Sequence, residues 1–549
     1  FRRAGFGTGD AARIHHAGDL HVDEVAGEEG EIAAACAKHF AANSQEHRRM
    51  SSSSNVDERT LREIYFPAFE TSVKKAQPWT FMCSYNRING VYASEDPWLL
   101  TEVLRDDWGF EGYVMSDWGA VSNRPKGVEA GLDLDMCDNC YIENLESLVM
   151  DGEVSEETID LAVMRLLCVK LAIGLFERPY REKFEYDKQK HLKDARELAA
   201  ESMVLLKNNG VLPLKKDSKI ALFGPFVSER RSLLGTWALD GDESETTNFY
   251  EAMESAMTGG TLEAQNSLQL FDKTAFVASN CDVIVLALGE SHWTTGEHHS
   301  ISDISLYNSQ IELINKMRST GKKVIAVFFC GRPMALEGVV ENLDAVLYAW
   351  HSGSETANAA CDILFGDVVP SGKTPVTFPR KATHIPMYYN ITASSHPVNG
   401  YYNDNPQDNY TDSIATPLYP FGFGLSYTQF KYSNIKVDKE NISLESLKQG
   451  DKFIVSINVS NVGEFDGKEI VELYIRDKVA SIMRPIRELK GYKKVFISKN
   501  ETINVEFELS YKDLGFYNEK GEYLVEKGEF DIYVGENCLT KNMVNIKVD

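Results

Sequence analysis

Gly112-Tyr113-Val114-Met115-Ser116-Asp117-Trp118-Gly119 is an apolar run that ends in a hydroxyl, a carboxylate and an indole. A short apolar run closed by glycine reads as a buried strand, and strands of this kind belong to parallel sheets covered by helices. In such β/α folds the reacting groups gather at the C-terminal ends of the strands, where Asp117 and Trp118 fall. Taken alone, one Asp among 82 acidic residues is explained as the cap of the next helix. Its surroundings decide between the two readings.

Upstream, Lys38-His39-Phe40 closes an apolar run at 35–40 and Met82-Cys83-Ser84-Tyr85 closes another at 81–85, and a fourth run follows at 131–136. Helical patterns occupy 57–75, 97–108 and 155–173, the last opening with Ser155-Glu156-Glu157, a helix cap followed by acidic first-turn residues. Short strands alternating with helices predict a parallel sheet. Three consecutive strand ends then carry Lys38 with His39, Tyr85, and Asp117 with Trp118. Singly, Lys38 and His39 describe a solvated edge and Tyr85 a core phenol. Together they are a carboxylate ringed by groups that bind hydroxyls.

The rest of the chain changes pattern twice. Residues 1–36 are an atypical segment with little periodicity, 37–176 the first α/β domain, and 177–195 a charged linker. A second α/β domain is expected over 196–386, with strands at 219–223, 283–288, 324–329 and 345–348 and helices at 191–207, 309–319 and 354–365. A Tyr-, Asn- and Asp-rich connecting loop covers 387–430. From 431 to 549 the runs 453–459, 469–475, 502–509 and 530–534 alternate apolar and polar residues between turn residues, the pattern of a β-sandwich of immunoglobulin or fibronectin III type.

Composition narrows the function. With 549 residues, three or four domains are expected at about 150 residues each. A formal charge of −25 and no basic stripe interleaved with aromatics exclude nucleic acid as a partner. No run reaches the roughly 18 apolar residues of a membrane span. The nine cysteines are scattered through mainly apolar stretches and read as buried thiols. Cys137-x-x-Cys140 has no second Cys or His pair to complete a zinc site, so neither metal nor cofactor is expected. No targeting signal is read in residues 1–36, and no compartment is assigned.

Many ordered motifs add a resemblance. Lys38-His39-Phe40, 82–89, Leu99-Leu100 through Arg105 with Trp108-Gly109-Phe110, 114–118, Val204 through Asn208 with Leu212-Pro213-Leu214, Pro370-Ser371-Gly372-Lys373, 419–427 and Arg484-Pro485 through Gly491 follow one another as in glycoside hydrolase family 3. The chain resembles that family of β-glucosidases and β-xylosidases over about residues 37–549. The resemblance implies a (β/α)8 barrel, an α/β sandwich and a fibronectin III-like domain. Asp117 matches the family's nucleophile, Lys38 and His39 match residues that hold sugar hydroxyls, Tyr85 a residue beside the nucleophile, and Trp118 an aromatic lining the sugar subsites.

The chemistry asks for two carboxyl groups: one ionised to attack the anomeric carbon, and one protonated to assist the leaving oxygen. The second is sought in the loop Gly289-Glu290-Ser-His-Trp293-Thr-Thr-Gly296-Glu297-His298-His299, which resembles the family's acid/base loop. Glu297 aligns best and Glu290 is its rival. Ile301 and Tyr307 stand where the family has Arg and Pro. Only four strand ends precede the linker, so a partial barrel corresponding to its C-terminal half is expected, with an open edge that invites self-association into a homo-oligomer. Arg2 and Arg3 lie in no matching motif.

The expected function is that of a retaining, exo-acting β-glucosidase on an oligosaccharide or β-glycoside. Alternatives are a β-xylosidase or α-L-arabinofuranosidase, or an inactive, truncated carbohydrate-binding homologue.

Overall fold

Phe40, Phe81 and Val114, each fully buried, mark the inward positions of three short parallel strands, Cys36–Phe40, Thr80–Cys83 and Tyr113–Met115, paired in that order. The computed structural model describes residues 26–27, 31–32, 34–137, 139–180, 186–266, 268, 271–392, 401–402 and 409–549. Arg2 and Arg3, most of residues 1–36, and residues 393–400 and 403–408 of the connecting loop lie outside the described residues. Phe40 holds this first sheet to its helices, with its ring centroid 5.1–5.7 Å from those of Phe66, Phe69, Phe81 and Trp108. The helices begin where the sequence caps them. Asp57 Oδ1 accepts from the Thr60 amide at 2.9 Å, and the Ser155 hydroxyl from the Thr158 amide ahead of Glu156–Ala172.

The run at 131–136 differs from expectation. It forms a single bridge, Leu134 to Met115, rather than a strand. Gly131, at φ +103°, terminates a helix the sequence reading missed, Arg124–Ala130, so little chain remains for a ladder. A second unforeseen helix, Cys140–Met150, follows. The strands do not close into a barrel among the described residues.

The chain divides into two compact units, 1–185 with Phe516–Leu524, and 186–515 with Val525–Asp549. In the first, the hairpin of Phe516–Tyr517 and Tyr523–Leu524 is tied to the sheet's helical cover by the Tyr517 amide, which donates to Glu63 Oε1 at 2.9 Å.

The second unit contains a six-stranded sheet in the order Thr261–Gln265, Lys219–Phe223, Val283–Gly289, Lys323–Phe329, Ala345–Tyr348, Val204–Asn208, parallel except for the last strand. Its central strands are apolar on both faces because helices cover both. Lys188–Ser202, Phe249–Ala256 and Thr356–Leu364 pack against Leu222, Val285 and Val327, while Asn308–Arg318 packs against Leu286, Ala326 and Phe328. The expected helix over 191–207 is corrected. It starts earlier, inside the stretch read as a linker, and ends at Ser202. Met203 turns extended and Val204-Leu205-Leu206, buried on both sides, enter the sheet. Thr261–Gln265 was also missed, being an edge strand without an apolar run.

The C-terminal sandwich packs Phe430–Val437, Phe453–Asn461 and Thr502–Leu509 against a second sheet that includes Gly467–Asp477, Glu488–Ile497, Gly528–Gly535 and Met543–Val548. Alternation is clean in Thr502–Leu509, where Val505, Phe507 and Leu509 are buried and Thr502, Asn504, Glu506 and Glu508 exposed.

Candidate functional site

The first elements of the site lie where the pairing of Cys36–Phe40 shifts register between Ala37 and Phe40: Phe40 is held in the core, Lys38 is exposed and His39 half-buried. His39 Nε2 lies 3.4 Å from Asp117 Oδ2, their side chains 27% and 13% exposed. Burial, and then the positive charge of Lys38, hold the His39 imidazole below its ordinary pKa against the opposing pull of Asp117. A neutral ring protonated on Nε2 can donate to the carboxylate. Asp117 Oδ1 accepts the Trp118 amide at 2.8 Å and its carbonyl accepts the Ala120 amide at 3.1 Å, forming a turn that Gly119 completes at φ +76°. Trp118 presents its indole to solvent at 62% exposure. Tyr85, on the neighbouring strand end, is buried with the Arg49 guanidinium over its ring at 4.7 Å.

A buried ion network stands behind Asp117. Asp133 receives Arg105 Nη2 at 2.7 Å, Arg165 Nη1 at 2.9 Å and the Val114 amide at 2.8 Å, and Arg105 Nη1 also donates to the Gly112 carbonyl at 2.8 Å. These bonds fix the start and the middle of Tyr113–Met115. Sequence reasoning missed Asp133 and Arg49. Both are joined to the site by residues remote in the chain, and no local spacing reveals such pairs.

In the second unit, the strand Val283–Gly289 delivers Glu290 into the interior at 1% exposure, where it accepts Arg332 Nε at 3.0 Å and Thr294 Oγ1 at 3.2 Å. Burial pushes the Glu290 carboxyl up despite Arg332. Glu297 is half-exposed in the turn closed by the His299 amide to the Gly296 carbonyl at 3.1 Å, and the Glu297 carbonyl lies 2.6 Å from His299 Nδ1. The two carboxylates therefore differ in kind. Glu290 is engaged by a guanidinium inside the domain, and Glu297 is carried on a loop at its surface.

Among the described residues no three His, Cys, Asp or Glu side chains converge to hold a metal ion, and no helix is long and apolar enough to cross a membrane. The cysteine expectation is corrected in part. Cys83, Cys281, Cys330, Cys361 and Cys538 are buried, but Cys137 and Cys168 are exposed, because their segments border solvent.

Comparison with known proteins adds three matches along the chain. Residues 11–169 match the glycosyl hydrolase family 3 N terminal domain, residues 203–427 the glycosyl hydrolase family 3 C-terminal domain, and residues 469–538 the fibronectin type III-like domain. The chain is 40% identical over 537 residues to thermostable beta-glucosidase B of Acetivibrio thermocellus, covering 94% of this chain and 69% of that protein. It is 33% identical over 555 residues to a beta-xylosidase of Formosa agariphila, covering 94% and 75%. The crystal structure of a beta-glucosidase from Listeria innocua in complex with glucose superposes with a TM-score of 0.88 at 32% identity, covering 96% of this chain and 76% of that one.

Proposed function

Because this chain belongs to glycosyl hydrolase family 3 and is a glycoside hydrolase, we propose that it is a retaining, exo-acting β-glucosidase releasing terminal, non-reducing β-D-glucosyl residues. The observation that most supports this reading is the 3.4 Å contact of Asp117 with a largely neutral His39, at a strand end beside Lys38 and Tyr85.

In this reading Asp117 attacks the anomeric carbon. The bond to the leaving oxygen breaks, and that oxygen takes a proton from Glu297. Water then gives a proton to Glu297 and attacks the same carbon, releasing Asp117 and returning both carboxyl groups to their starting states. Lys38 and His39 hold sugar hydroxyls, Tyr85 sets the nucleophile, and Trp118 offers a flat apolar face to the sugar. His39 suits its place because a neutral imidazole donates one hydrogen bond without drawing the nucleophile into an ion pair. The three parallel strands and the Leu134 bridge are read as part of a (β/α)8 barrel. The test is hydrolysis of p-nitrophenyl β-glucoside with the anomer of the product followed by NMR: first-formed β-glucose supports retention, and α-glucose overturns it.

The relationship to a beta-xylosidase at 33% identity favours one second reading, a β-xylosidase. The ratio of kcat/KM for the β-glucoside and the β-xyloside decides between them.

A further inference from the structure

Cys137 follows Met136, which is bonded to the turn that carries Asp117, and Cys140 lies three residues on. The Met136 amide donates to Ser116 Oγ at 2.8 Å, and the Gly119 amide to the Met136 carbonyl at 3.4 Å, so the residue before Cys137 is bonded on both sides of Asp117. Cys137 and Asn139 adopt positive φ, +69° and +56°, and Cys140 opens the Cys140–Met150 helix, whose Tyr141 amide donates to Asp135 Oδ2 at 3.1 Å. Two cysteines three apart in sequence thus lie between Met136, bonded to the Ser116–Gly119 turn, and the start of the Cys140–Met150 helix.

Both thiols are free, Cys137 exposed and Cys140 partly so, and Arg124 Nη2 donates to Cys140 Sγ at 3.6 Å. That contact places a cation beside one of the two sulfurs. The contrast with Cys83 is instructive: fully buried, its thiol is pushed up to about 12 and is inert.

We propose that Cys137 and Cys140 form a reversible disulfide, a redox-modification site whose closure resets the Ser116–Gly119 turn. The oxidant is a low-molecular-weight disulfide. The Cys137 sulfur attacks one of its sulfurs, forming a mixed disulfide while the first small thiol leaves with the Cys137 proton. The Cys140 sulfur then attacks Cys137, the protein disulfide forms, and the second small thiol leaves with the Cys140 proton. The protein loses two electrons and two protons, and the small disulfide becomes two thiols. Closure requires the Cα atoms to lie within about 4.4–6.8 Å, a constraint that falls on Cys137 and hence on Met136 beside it.

The full chain is equilibrated in buffers of graded oxidised and reduced glutathione, the remaining thiols are alkylated, and peptides are mapped while p-nitrophenyl β-glucoside hydrolysis is followed. Cys137 and Cys140 should lose their thiols together, and turnover should fall by about tenfold, the scale expected from moving a reacting group by a fraction of an ångström. Dithiothreitol should restore it. Cys137→Ser and Cys140→Ala should keep the reduced activity and lose the redox response, while Cys168→Ser should respond like the unaltered chain. Glutathione retained on Cys137 with Cys140 still alkylated, or closure with turnover unchanged, overturns the proposal.

Discussion

His39 Nε2 reaches Asp117 Oδ2 at 3.4 Å across the intervening strand, since Cys36–Phe40 and Tyr113–Met115 are separated by Thr80–Cys83. The contact has a thermodynamic signature. The folded chain holds His39 below its ordinary value of about 6.5, so near that pH the unfolded chain binds a proton that the folded one refuses. The associated stability is present above about pH 6.5 and is lost as pH falls through the lower, folded value. His39→Gln should therefore flatten the loss of stability between pH 7 and pH 5, read by urea unfolding. Identical slopes in both proteins would remove His39 as the source.

Asp117→Asn should lower turnover by about four to six orders of magnitude, the scale on which loss of an enzymic nucleophile acts. The amide cannot form the glycosyl ester, and its shape preserves the Trp118 amide contact, so folding should be intact. A 2-fluoroglucoside should label Asp117 in the unaltered protein, and peptide mapping checks this. Label on Asp107 or Asp135 would reassign the role.

Elements with a strong local pattern were legible in the sequence, and those set by distant partners were not. Val283–Gly289 and Lys323–Phe329 are long apolar runs, and Thr502–Leu509 alternates without a break, so each declares itself. Val204–Asn208 reads as the end of a helix because Leu205 and Leu206 suit either state, and only its antiparallel pairing with Ala345–Tyr348 decides. At the candidate site, the strand-end placement of Lys38, His39, Tyr85 and Asp117 could be read because strand ends can be counted. Arg49 over Tyr85 and Asp133 against Arg105 and Arg165 could not, since these contacts arise only on folding.

The two loop carboxylates should separate by leaving group. Glu297→Gln should slow glycosides with poor leaving groups by about 10²–10⁴-fold and activated aryl glucosides far less, with azide restoring turnover. Glu290→Gln should act on stability instead, costing about 1–3 kcal/mol by weakening the buried contact with Arg332. Kinetics over a series of substituted phenyl glucosides, alongside thermal unfolding, reads both effects. A leaving-group dependence that appears in Glu290→Gln and not in Glu297→Gln exchanges the roles.

Asp133→Ala should be the costliest substitution near the site although it removes no proposed catalytic group. The Asp133 side chain is 1% exposed and meets two guanidinium groups, Arg105 at 8% and Arg165 at 18% exposure. Burial already holds Arg105 down to about 10, so removing the carboxylate leaves a desolvated cation with its main partner gone. Breaking such a pair from one side costs about 3–5 kcal/mol. The Val114 amide also loses its acceptor, which loosens the strand leading to Asp117. The pair of Arg62 with Asp107, whose carboxylate is 51% exposed, is the control, and Asp107→Ala should change stability by no more than about 1 kcal/mol because Arg62 keeps Glu58 at 2.8 Å. Because the chain has two compact units, a single unfolding curve mixes them, so hydrogen exchange of the Tyr113–Met115 amides is the better readout. Faster exchange there in Asp133→Ala, with the amides of Lys323–Phe329 unchanged, is the expected result. Equal protection in both variants would show that the aromatic packing around Phe40 holds the strand without the ion network.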